Sequence, residues 1–242
     1  MLNKVHHGDC LDMMSQIPDR TVDMILCDLP YGTTQNKWDI VIPFDLLWEQ
    51  YKRITKPNAA IVLTATQPFS SQLVLSNPKM FKYEWIWEKT VGSGQLNINK
   101  QPLRTHEAIL IFYKKPTIYN QQMEDGAPYK IKRDAKGEGY GKQSASKKNN
   151  TGYRHPKSVL KFANARVKGG HPTQKPVELF AYLIRTYTNP GAIVLDNCLG
   201  SGTTAVACLL EGRQFIGIEK DKKYVTMANN RILQTSNEIG TI

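Results

Sequence analysis

The most informative stretch of the sequence is Val22-Asp23-Met24-Ile25-Leu26-Cys27-Asp28-Leu29-Pro30-Tyr31. An apolar run that stops just before a proline is typical of a buried strand, so Asp28 is predicted at its carboxyl end, where open α/β sheets bind ligands. The Asp28 carboxylate and the Pro30 carbonyl can accept N–H bonds from a flat base, and the Tyr31 ring can stack on it. Taken alone, the tetrapeptide also fits a plain turn with a surface tyrosine.

Composition limits the classes of protein to consider. The chain has 242 residues, of which 40% are hydrophobic, enough for one α/β domain with an insertion. It has no apolar run long enough to span a membrane and no signal-peptide pattern, so we expect a cytoplasmic protein. The cysteines form no C-x-x-C pair, which favours buried thiols over a disulfide or a metal site. They are Cys10, Cys27, Cys198 and Cys208.

Short apolar runs alternate with amphipathic stretches along most of the chain. This alternation predicts an α/β fold, a Rossmann-like, mostly parallel twisted sheet with helices on both faces. Strands are predicted at residues 4–7, 22–27, 59–64, 83–88, 108–113, 193–195 and 215–218. Helices are predicted at residues 44–54, 176–187, 203–211 and 223–233.

The net charge of +11 is concentrated in one segment. Residues 114–168 contain fourteen Lys or Arg against four acidic residues, with tyrosines interleaved. Such a segment is either a solvated loop or a surface for a phosphate backbone and unstacked bases, and the length of the insertion favours the second reading. We therefore divide the chain into a catalytic domain, residues 1–114 and 169–242, and a basic insertion, residues 115–168.

A second motif, Asp196-Asn197-Cys198-Leu199-Gly200-Ser201-Gly202-Thr203-Thr204-Ala205, follows one predicted strand and opens a helix. Glu219 lies at the end of the next strand, which completes the pattern of a nucleoside-containing cofactor site. A nicotinamide-dependent oxidoreductase is one reading. However, the motif lies near the C-terminus, so the rest of the sheet must come from upstream, and Asp28 can then face the cofactor. That arrangement suits methyl transfer to an amino group.

Taken together, these motifs resemble the β-class, permuted amino-group DNA methyltransferases. Residues 28–31 resemble the family's catalytic tetrapeptide, and residues 196–204 resemble its S-adenosylmethionine loop. Residues 171–176, His-Pro-Thr-Gln-Lys-Pro, resemble the segment before its methionine-side helix. Gly8-Asp9-Cys10 matches the segment near the cofactor adenine, and Glu219 matches the acid that binds the ribose.

The resemblance implies a site without metal that moves a methyl group from S-adenosylmethionine to double-stranded DNA, in line and without a covalent enzyme intermediate. It implies that the basic insertion recognises the target. An aspartate at position 28, where cytosine-N4 enzymes usually have serine, favours adenine N6. The implied catalytic residues are Asp28, Pro30 and Tyr31. The implied cofactor-binding residues are Asp9, Cys10, Asp28, Lys175, Asp196, Cys198, Gly200, Ser201, Gly202, Thr203 and Glu219.

Several readings stay open at this point. Leu29 replaces a proline of the family motif, and Asn197-Cys198 replaces Pro-Phe, of which the phenylalanine lines the cofactor pocket. Trp38 and Asp39 either line the base pocket or anchor the loop, whereas Glu107 is expected to pack or to cap. A cytosine-N4 enzyme, an RNA substrate and a catalytically silent DNA-binding module are alternatives. The resemblance leaves open a homodimer and a cognate restriction enzyme, and the recognition sequence cannot be read from these residues.

Overall fold

The apolar run Val22–Cys27 forms a central strand because both of its faces are covered.

A computed structural model describes residues 1–36, 38–133, 144–165 and 174–240. The chain divides into a larger unit, Met1–Asn120 with Ser158–Ile242, and a smaller unit, Gln121–Lys157. The elements are β1 (Lys4–His7), α1 (Cys10–Ser15), β2 (Val22–Cys27), α2 (Phe44–Ile54), β3 (Thr55–Ala65), α3 (Phe69–Ser76), β4 (Phe81–Ser93), a 3₁₀ turn (Gln95–Asn97), β5 (Arg104–Phe112), β6 (Glu124–Asp125), β7 (Tyr129–Arg133), β8 (Ser146–Asn150), β9 (Tyr153–Arg154), β10 (Val159–Phe162), α4 (Val177–Tyr187), β11 (Ile193–Asp196), α5 (Thr203–Leu210), β12 (Gln214–Glu219) and α6 (Lys222–Glu238).

The larger unit is built on an eight-stranded sheet with the order β1-β12-β11-β2-β3-β5-β4-β10. Neighbouring strands are parallel except that β5 is antiparallel to both β3 and β4. Strand β4 therefore runs in the same direction as β2 and β3. This is the mostly parallel sheet that the sequence predicts. It places the C-terminal ends of β1, β12, β11, β2, β3 and β4 along one edge.

Each face of the sheet carries its own hydrophobic core. Met24 and Leu26 of β2 pack with residues of α4 and α5 on one face, whereas Ile25 and Cys27 pack with α1, α2 and α3 on the other. Because side chains alternate along a strand, a continuous apolar run is what a strand buried on both faces requires. The helices on both faces confirm this part of the predicted fold.

The smaller unit contains two short antiparallel pairs, β6 with β9 and β7 with β8. The sequence predicts no strand here, because these segments are polar and lack an apolar period. The Arg154 guanidinium lies 4.4 Å from the centre of the Tyr129 ring. Strand β10, which falls within the predicted insertion, instead pairs with β4 in the large sheet. The role of the insertion in target recognition stays a prediction.

Candidate active site

The carboxyl edge of the large sheet holds a cavity of about 680 Å³. Four of the carboxylates that line it lie at the C-terminal end of β1, β12, β11 or β2, or within two residues after it. They are Asp9, Glu219, Asp196 and Asp28. The topology therefore unites motifs that lie far apart in the sequence, as expected for parallel strands whose ends share an edge.

The Asp28 carboxylate already has partners on both oxygens. Its Oδ1 accepts a hydrogen bond of 2.6 Å from the Tyr31 hydroxyl and another from the Thr64 hydroxyl of β3. Its Oδ2 lies 2.5 Å from the Nζ of Lys175. The Tyr31 hydroxyl also lies 3.2 Å from the Thr64 Oγ1. A ligand amine that binds to Asp28 must therefore share or replace these contacts.

Lys175 links Asp28 to a second buried carboxylate. Its Nζ lies 3.4 Å from the Oε2 of Glu107, whose Oε1 pairs with Lys89 of β4. Only 7% of the Lys175 side chain is exposed, and burial alone would lower its pKa. The charges of Asp28 and Glu107 outweigh burial and raise the pKa of Lys175. Lys175 is thus a buried cation held between two carboxylates, and Glu107 does more than pack or cap.

The Tyr31 ring is fixed by Phe69 at the start of α3. The two ring centres are 5.1 Å apart, and the planes meet at 28°. Burial, followed by the charges of Asp28 and Glu107, raises the pKa of the Tyr31 hydroxyl well above its usual value. The hydroxyl therefore stays protonated and donates to Asp28.

Asp39 organises the loop that follows Tyr31. Its Oδ1 accepts from the backbone N–H of Gly32 at 2.8 Å, and its Oδ2 accepts from Thr33 and Thr34 at 2.9 and 2.7 Å. Burial opposes the charged form, but these hydrogen bonds prevail and lower the pKa of Asp39. Asp39 therefore anchors the loop, and together with Trp38 it also lines the cavity.

The glycine-rich loop is held by the acids at the ends of β11 and β12. Asp196 accepts from the backbone N–H of Cys198 at 3.0 Å and from the Thr204 hydroxyl. Burial raises the pKa of Asp196 to about 6. Glu219 accepts from the backbone N–H of Gly200 at 2.7 Å and from that of Asp221 at 2.7 Å. The loop is thus fixed mainly through its own backbone.

Position 202 requires a glycine because of packing that the sequence alone did not indicate. Its φ is +87°, and a Cβ there would lie 2.9 Å from the Cβ of Ala228 in α6. The glycine therefore makes room for the close approach of α6 to the loop, and not for the approach of a ligand. Arg231, one turn further along α6, donates to Ser201 O at 2.7 Å and lies 3.3 Å from the Thr203 Oγ1. Gly202 is also the one predicted cofactor residue outside the cavity lining among the described residues.

Asn197 and Cys198 fill the place of the family's Pro-Phe pair with a polar contact and a thiol. The Tyr51 hydroxyl of α2 donates to the Asn197 Oδ1 at 2.6 Å in the protein interior. The Asn197 Nδ2 lies 3.5 Å from the Cys198 Sγ. Burial raises the pKa of Cys27 to about 12. The pKa values of the Cys10 and Cys198 thiols are raised as well, so all three thiols stay protonated. Cys10 and Cys198 line the cavity, whereas Cys27 packs in the core beside it.

The remaining predicted residues also line the cavity. Asp9 accepts from the backbone N–H of Leu11 at 3.0 Å as the cap of α1, and its Oδ2 lies 3.1 Å from the Nζ of Lys220. Pro30 lies beside Asp28 in the lining. Of the segment at 171–176, Gln174 and Lys175 line the cavity, whereas His171, Pro172 and Thr173 lie outside the described residues.

Comparison with known proteins decides the family. A family model described as DNA methylase, that of the N6 and N4 methyltransferases, matches residues 22–230. The chain belongs to this DNA methylase family. The methylase is 30% identical to the DNA adenine methyltransferase YhdJ of Escherichia coli (strain K12), over 93% of this chain and 81% of YhdJ.

Solved structures share the fold. The methylase aligns with a complex of M1.HpyAVI with SAM at a TM-score of 0.64 and 26% identity, over 95% of this chain and 98% of that one. It aligns with the cytosine-N4-specific PvuII DNA methyltransferase at a TM-score of 0.68, over 97% and 91% of the two chains. Identity to the PvuII enzyme is 16%, so that likeness concerns the fold alone.

Four residues that support the site escaped the sequence analysis, namely Thr64, Lys89, Tyr51 and Arg231. Lys89, Tyr51 and Arg231 lie in elements distant in sequence from the motifs, and a lone Lys, Tyr or Arg inside a strand or helix gives no spacing signal. Thr64, at the end of β3, is the exception, because its position at the carboxyl edge of a predicted strand could have flagged it. No helix in the described part of the methylase is both long and apolar enough to cross a membrane.

Proposed function

We propose that the methylase transfers a methyl group from S-adenosylmethionine to the N6 amino group of adenine in double-stranded DNA. The observation that carries this proposal is the Asp28 corner, where Asp28, Pro30 and Tyr31 line one cavity together with residues of the glycine-rich loop, and the Tyr31 hydroxyl bonds to the Asp28 carboxylate. The name of YhdJ, an adenine methyltransferase, and the SAM complex of M1.HpyAVI support the substrate and the cofactor.

The cavity has the size and the donor set that the cofactor needs. Its volume of about 680 Å³ lies within the usual range for small-molecule sites. Glu219 accepts two backbone N–H bonds, one on each oxygen, and each carboxylate oxygen has a second lone pair. Glu219 can therefore also receive ribose hydroxyls. We assign Asp9 and Cys10 to the adenine side and Lys175, Asp196 and Cys198 to the methionine side, with the loop from Gly200 to Thr203 closing the site. Asp28, which the resemblance also implies as a cofactor residue, is assigned chiefly to the target amine.

The target base must leave the duplex to reach this corner, which costs a few kcal/mol. Asp28 and the Pro30 carbonyl then accept hydrogen bonds from the exocyclic amine while the base stacks on Tyr31. These bonds draw the nitrogen lone pair out of conjugation with the ring and stabilise the positive charge that develops on nitrogen. When bound, S-adenosylmethionine supplies an electrophilic methyl group, whose bond to sulfur breaks as the bond to nitrogen forms. One amino proton leaves to solvent.

The structure adds a condition to this role of Asp28. Because its oxygens hold Tyr31, Thr64 and Lys175, the base amine has to take over at least one of these contacts. Lys175 is the contact most readily exchanged, since Glu107 also faces its Nζ. Glu107 thus acts as a positioning residue that retains the lysine while Asp28 turns to the base.

Target recognition is assigned to the basic insertion, residues 115–168, because cations and tyrosines suit a phosphate backbone and unstacked bases. In the smaller unit, Lys132 of β7 lies opposite Lys147 of β8. Like charges directly opposite each other are unfavourable in an isolated ribbon, and a polyanion would relieve them. A homodimer, a cognate restriction enzyme and a cytoplasmic location rest on the family resemblance or composition and stay predictions.

The test is the identity of the methylated nucleoside. Unmethylated duplex DNA of mixed sequence is incubated with the methylase and isotope-labelled S-adenosylmethionine, digested to nucleosides and analysed by mass spectrometry. We expect labelled N6-methyladenine, and its loss in Asp28→Ala with cofactor binding retained. Labelled N4-methylcytosine would correct the target base. A protein that does not bind S-adenosylmethionine at all would contradict the proposal.

A further inference from the structure

The connection between β4 and β5 carries an apolar tip that is exposed in the part of the chain that the structure describes. The pair Ser93 and Arg104 closes this loop, which comprises residues 94–103. Leu96 at its tip is 101% exposed, and Ile98 is 60% exposed. Fully exposed leucines are unremarkable on their own, but two large apolar side chains on one short turn form a protrusion rather than a scattered surface residue.

The tip is an ordered turn that holds Leu96 outward. Gly94 adopts a φ of +96°, and the 3₁₀ turn closes with a hydrogen bond of 2.9 Å from Asn97 N to the Gly94 carbonyl. The Gln95 side chain donates to the Gly92 carbonyl at 2.7 Å. A further backbone bond of 2.9 Å joins Lys100 N to the Asn97 carbonyl. These local bonds fix the turn before any partner binds.

The sheet topology puts the tip at the mouth of the active site. Strand β4 runs parallel to β2 and β3 in direction, so its C-terminal end lies at the same edge as Asp28. Ser93 and Arg104 line the cavity, whereas Leu96 lies beyond its lining. Arg104 is three residues from Glu107 along β5, a distance of roughly 10 Å in an extended strand.

The chemistry around the tip suits duplex DNA. Residues 94–106 contain Lys100 and Arg104 and no acidic residue. The polar residues Asn97 and Asn99 flank the apolar ones. Cations beside an apolar wedge are the combination that DNA-distorting proteins use, with phosphates neutralised while a side chain enters the stack.

We propose that Leu96, supported by Ile98, enters the base stack at the position that the target base vacates when it turns into the cavity. This inference rests on the proposed function, because it requires a flipped base. The wedge offsets part of the cost of unstacking and delays return of the base. Ile40 is also 72% exposed, but it lines the cavity itself, so the role is assigned to Leu96, which lies outside the lining.

The test compares two substrates that differ in the cost of extrusion. Both are duplexes that carry the site identified from wild-type methylation; in one the target base is paired, and in the other it lies opposite an abasic position. We expect Leu96→Ala to lower kcat/KM by about 10- to 100-fold on the paired duplex and by less than about 3-fold on the unpaired one. Leu96→Met, which keeps the apolar volume, should restore most of the activity.

A second readout and a matched control separate this role from a structural one. With 2-aminopurine at the target position, the fluorescence rise on wild-type binding should be lost in Leu96→Ala on the paired duplex and kept on the unpaired one. Leu75→Ala removes another leucine, 76% exposed on α3, and should change neither substrate.

Three results would overturn the wedge. They are an unchanged rate in Leu96→Ala, equal losses on both substrates, and a loss that accompanies a change of oligomeric state, which would assign the tip to a protein interface. If the wild type methylates no DNA in the nucleoside assay, no target site exists, and the proposed function is refuted together with the wedge. An active wild type that is insensitive to Leu96 would refute the wedge alone.

Discussion

The carboxylates in two corners of the same cavity have different kinds of hydrogen-bond partner. In the glycine-loop corner, Asp196 and Glu219 accept hydrogen bonds from backbone N–H groups of the loop and of the start of α6, and Asp196 also accepts from the Thr204 hydroxyl. In the catalytic corner, Asp28 is bound by the side chains of Tyr31, Thr64 and Lys175. Backbone partners cannot leave without remodelling the loop, whereas side chains can rotate away.

Under the proposed function, the difference makes the corner assigned to the cofactor rigid and leaves the corner assigned to catalysis free to exchange its contacts. Lys175 connects them, because its Nζ pairs with Asp28 while its backbone carbonyl accepts from the Thr203 hydroxyl at 3.3 Å. Substitutions in the catalytic corner should therefore change the rate of transfer. Substitutions in the loop corner should change cofactor affinity and stability.

The largest effect is expected from Asp28→Asn. The amide keeps the shape but removes the charge that stabilises the developing positive nitrogen, so kcat should fall by about 10³-fold. Cofactor affinity, measured by calorimetry, should change by less than about 3-fold, because the loop corner is untouched. Asp12→Asn, which neutralises an exposed acid on α1, is the control and should keep full activity. A loss of cofactor affinity as large as the loss of rate would contradict the separation of catalysis and cofactor binding between the two corners.

Glu107→Gln tests the buried ion pairs that hold Lys175 beside Asp28. It leaves the buried Lys89 without its ion-pair partner and Lys175 with Asp28 alone. Breaking such a buried pair should lower the free energy of unfolding by about 3–5 kcal/mol in urea titrations. Glu88→Gln breaks the exposed pair with Lys161 and should cost less than about 1 kcal/mol. Equal costs for the two variants would contradict the assignment of a buried network. Because Lys175 then has no alternative partner, kcat should also fall while KM for DNA stays close to wild type.

The pKa of Asp196 gives a test by pH. The pKa in the folded protein is about 6, above the ordinary value of 3.8, so the folded state binds this proton more tightly than the unfolded chain. The stabilisation from Asp196 is therefore complete below pH 4 and is lost as the pH rises through 6. The stability difference between wild type and Asp196→Asn should fall by up to ~3 kcal/mol across this window. A difference that does not change between pH 4 and 7 would refute the burial of a charged Asp196.

The smallest effect is expected from Tyr51→Phe in the loop corner. The variant removes the hydroxyl that satisfies the buried Asn197 Oδ1, which should cost about 1–3 kcal/mol of stability. The cofactor dissociation constant should rise by roughly 3- to 10-fold, since Asn197 belongs to the loop, with kcat nearly unchanged. Tyr153→Phe in the smaller unit, where the ring is exposed, serves as the control. A fall in kcat without weaker cofactor binding would place Tyr51 in the catalytic corner instead.

The parts of the fold that could be predicted are those with strong local signals. The run before Asp28 and the helical spacing of residues 44–54 gave β2 and α2 directly. Helix α1 was missed because it is only six residues long, and helix α3 was missed because its apolar residues show little periodicity. Strands β6 to β9 are polar and short, so their pairing depends on tertiary context that no single segment reveals.

The site was predictable where one motif supplies both position and chemistry. Asp28 and Tyr31 follow β2, Asp196 and Glu219 end β11 and β12, and parallel strands bring these ends together. The supporting contacts were not predictable. The partnership of Lys175 with Glu107 joins residues 68 positions apart, and Arg231 reaches Ser201 only because α6 packs on the loop at Gly202.

The most direct test of the account is a side-by-side analysis of the nucleosides formed from labelled S-adenosylmethionine by the wild-type protein and by Asp28→Asn, with cofactor binding measured on the same samples. The account predicts N6-methyladenine from the wild type, a rate about 10³-fold lower from the variant, and equal cofactor binding. Undiminished transfer by the variant would contradict the central role of Asp28.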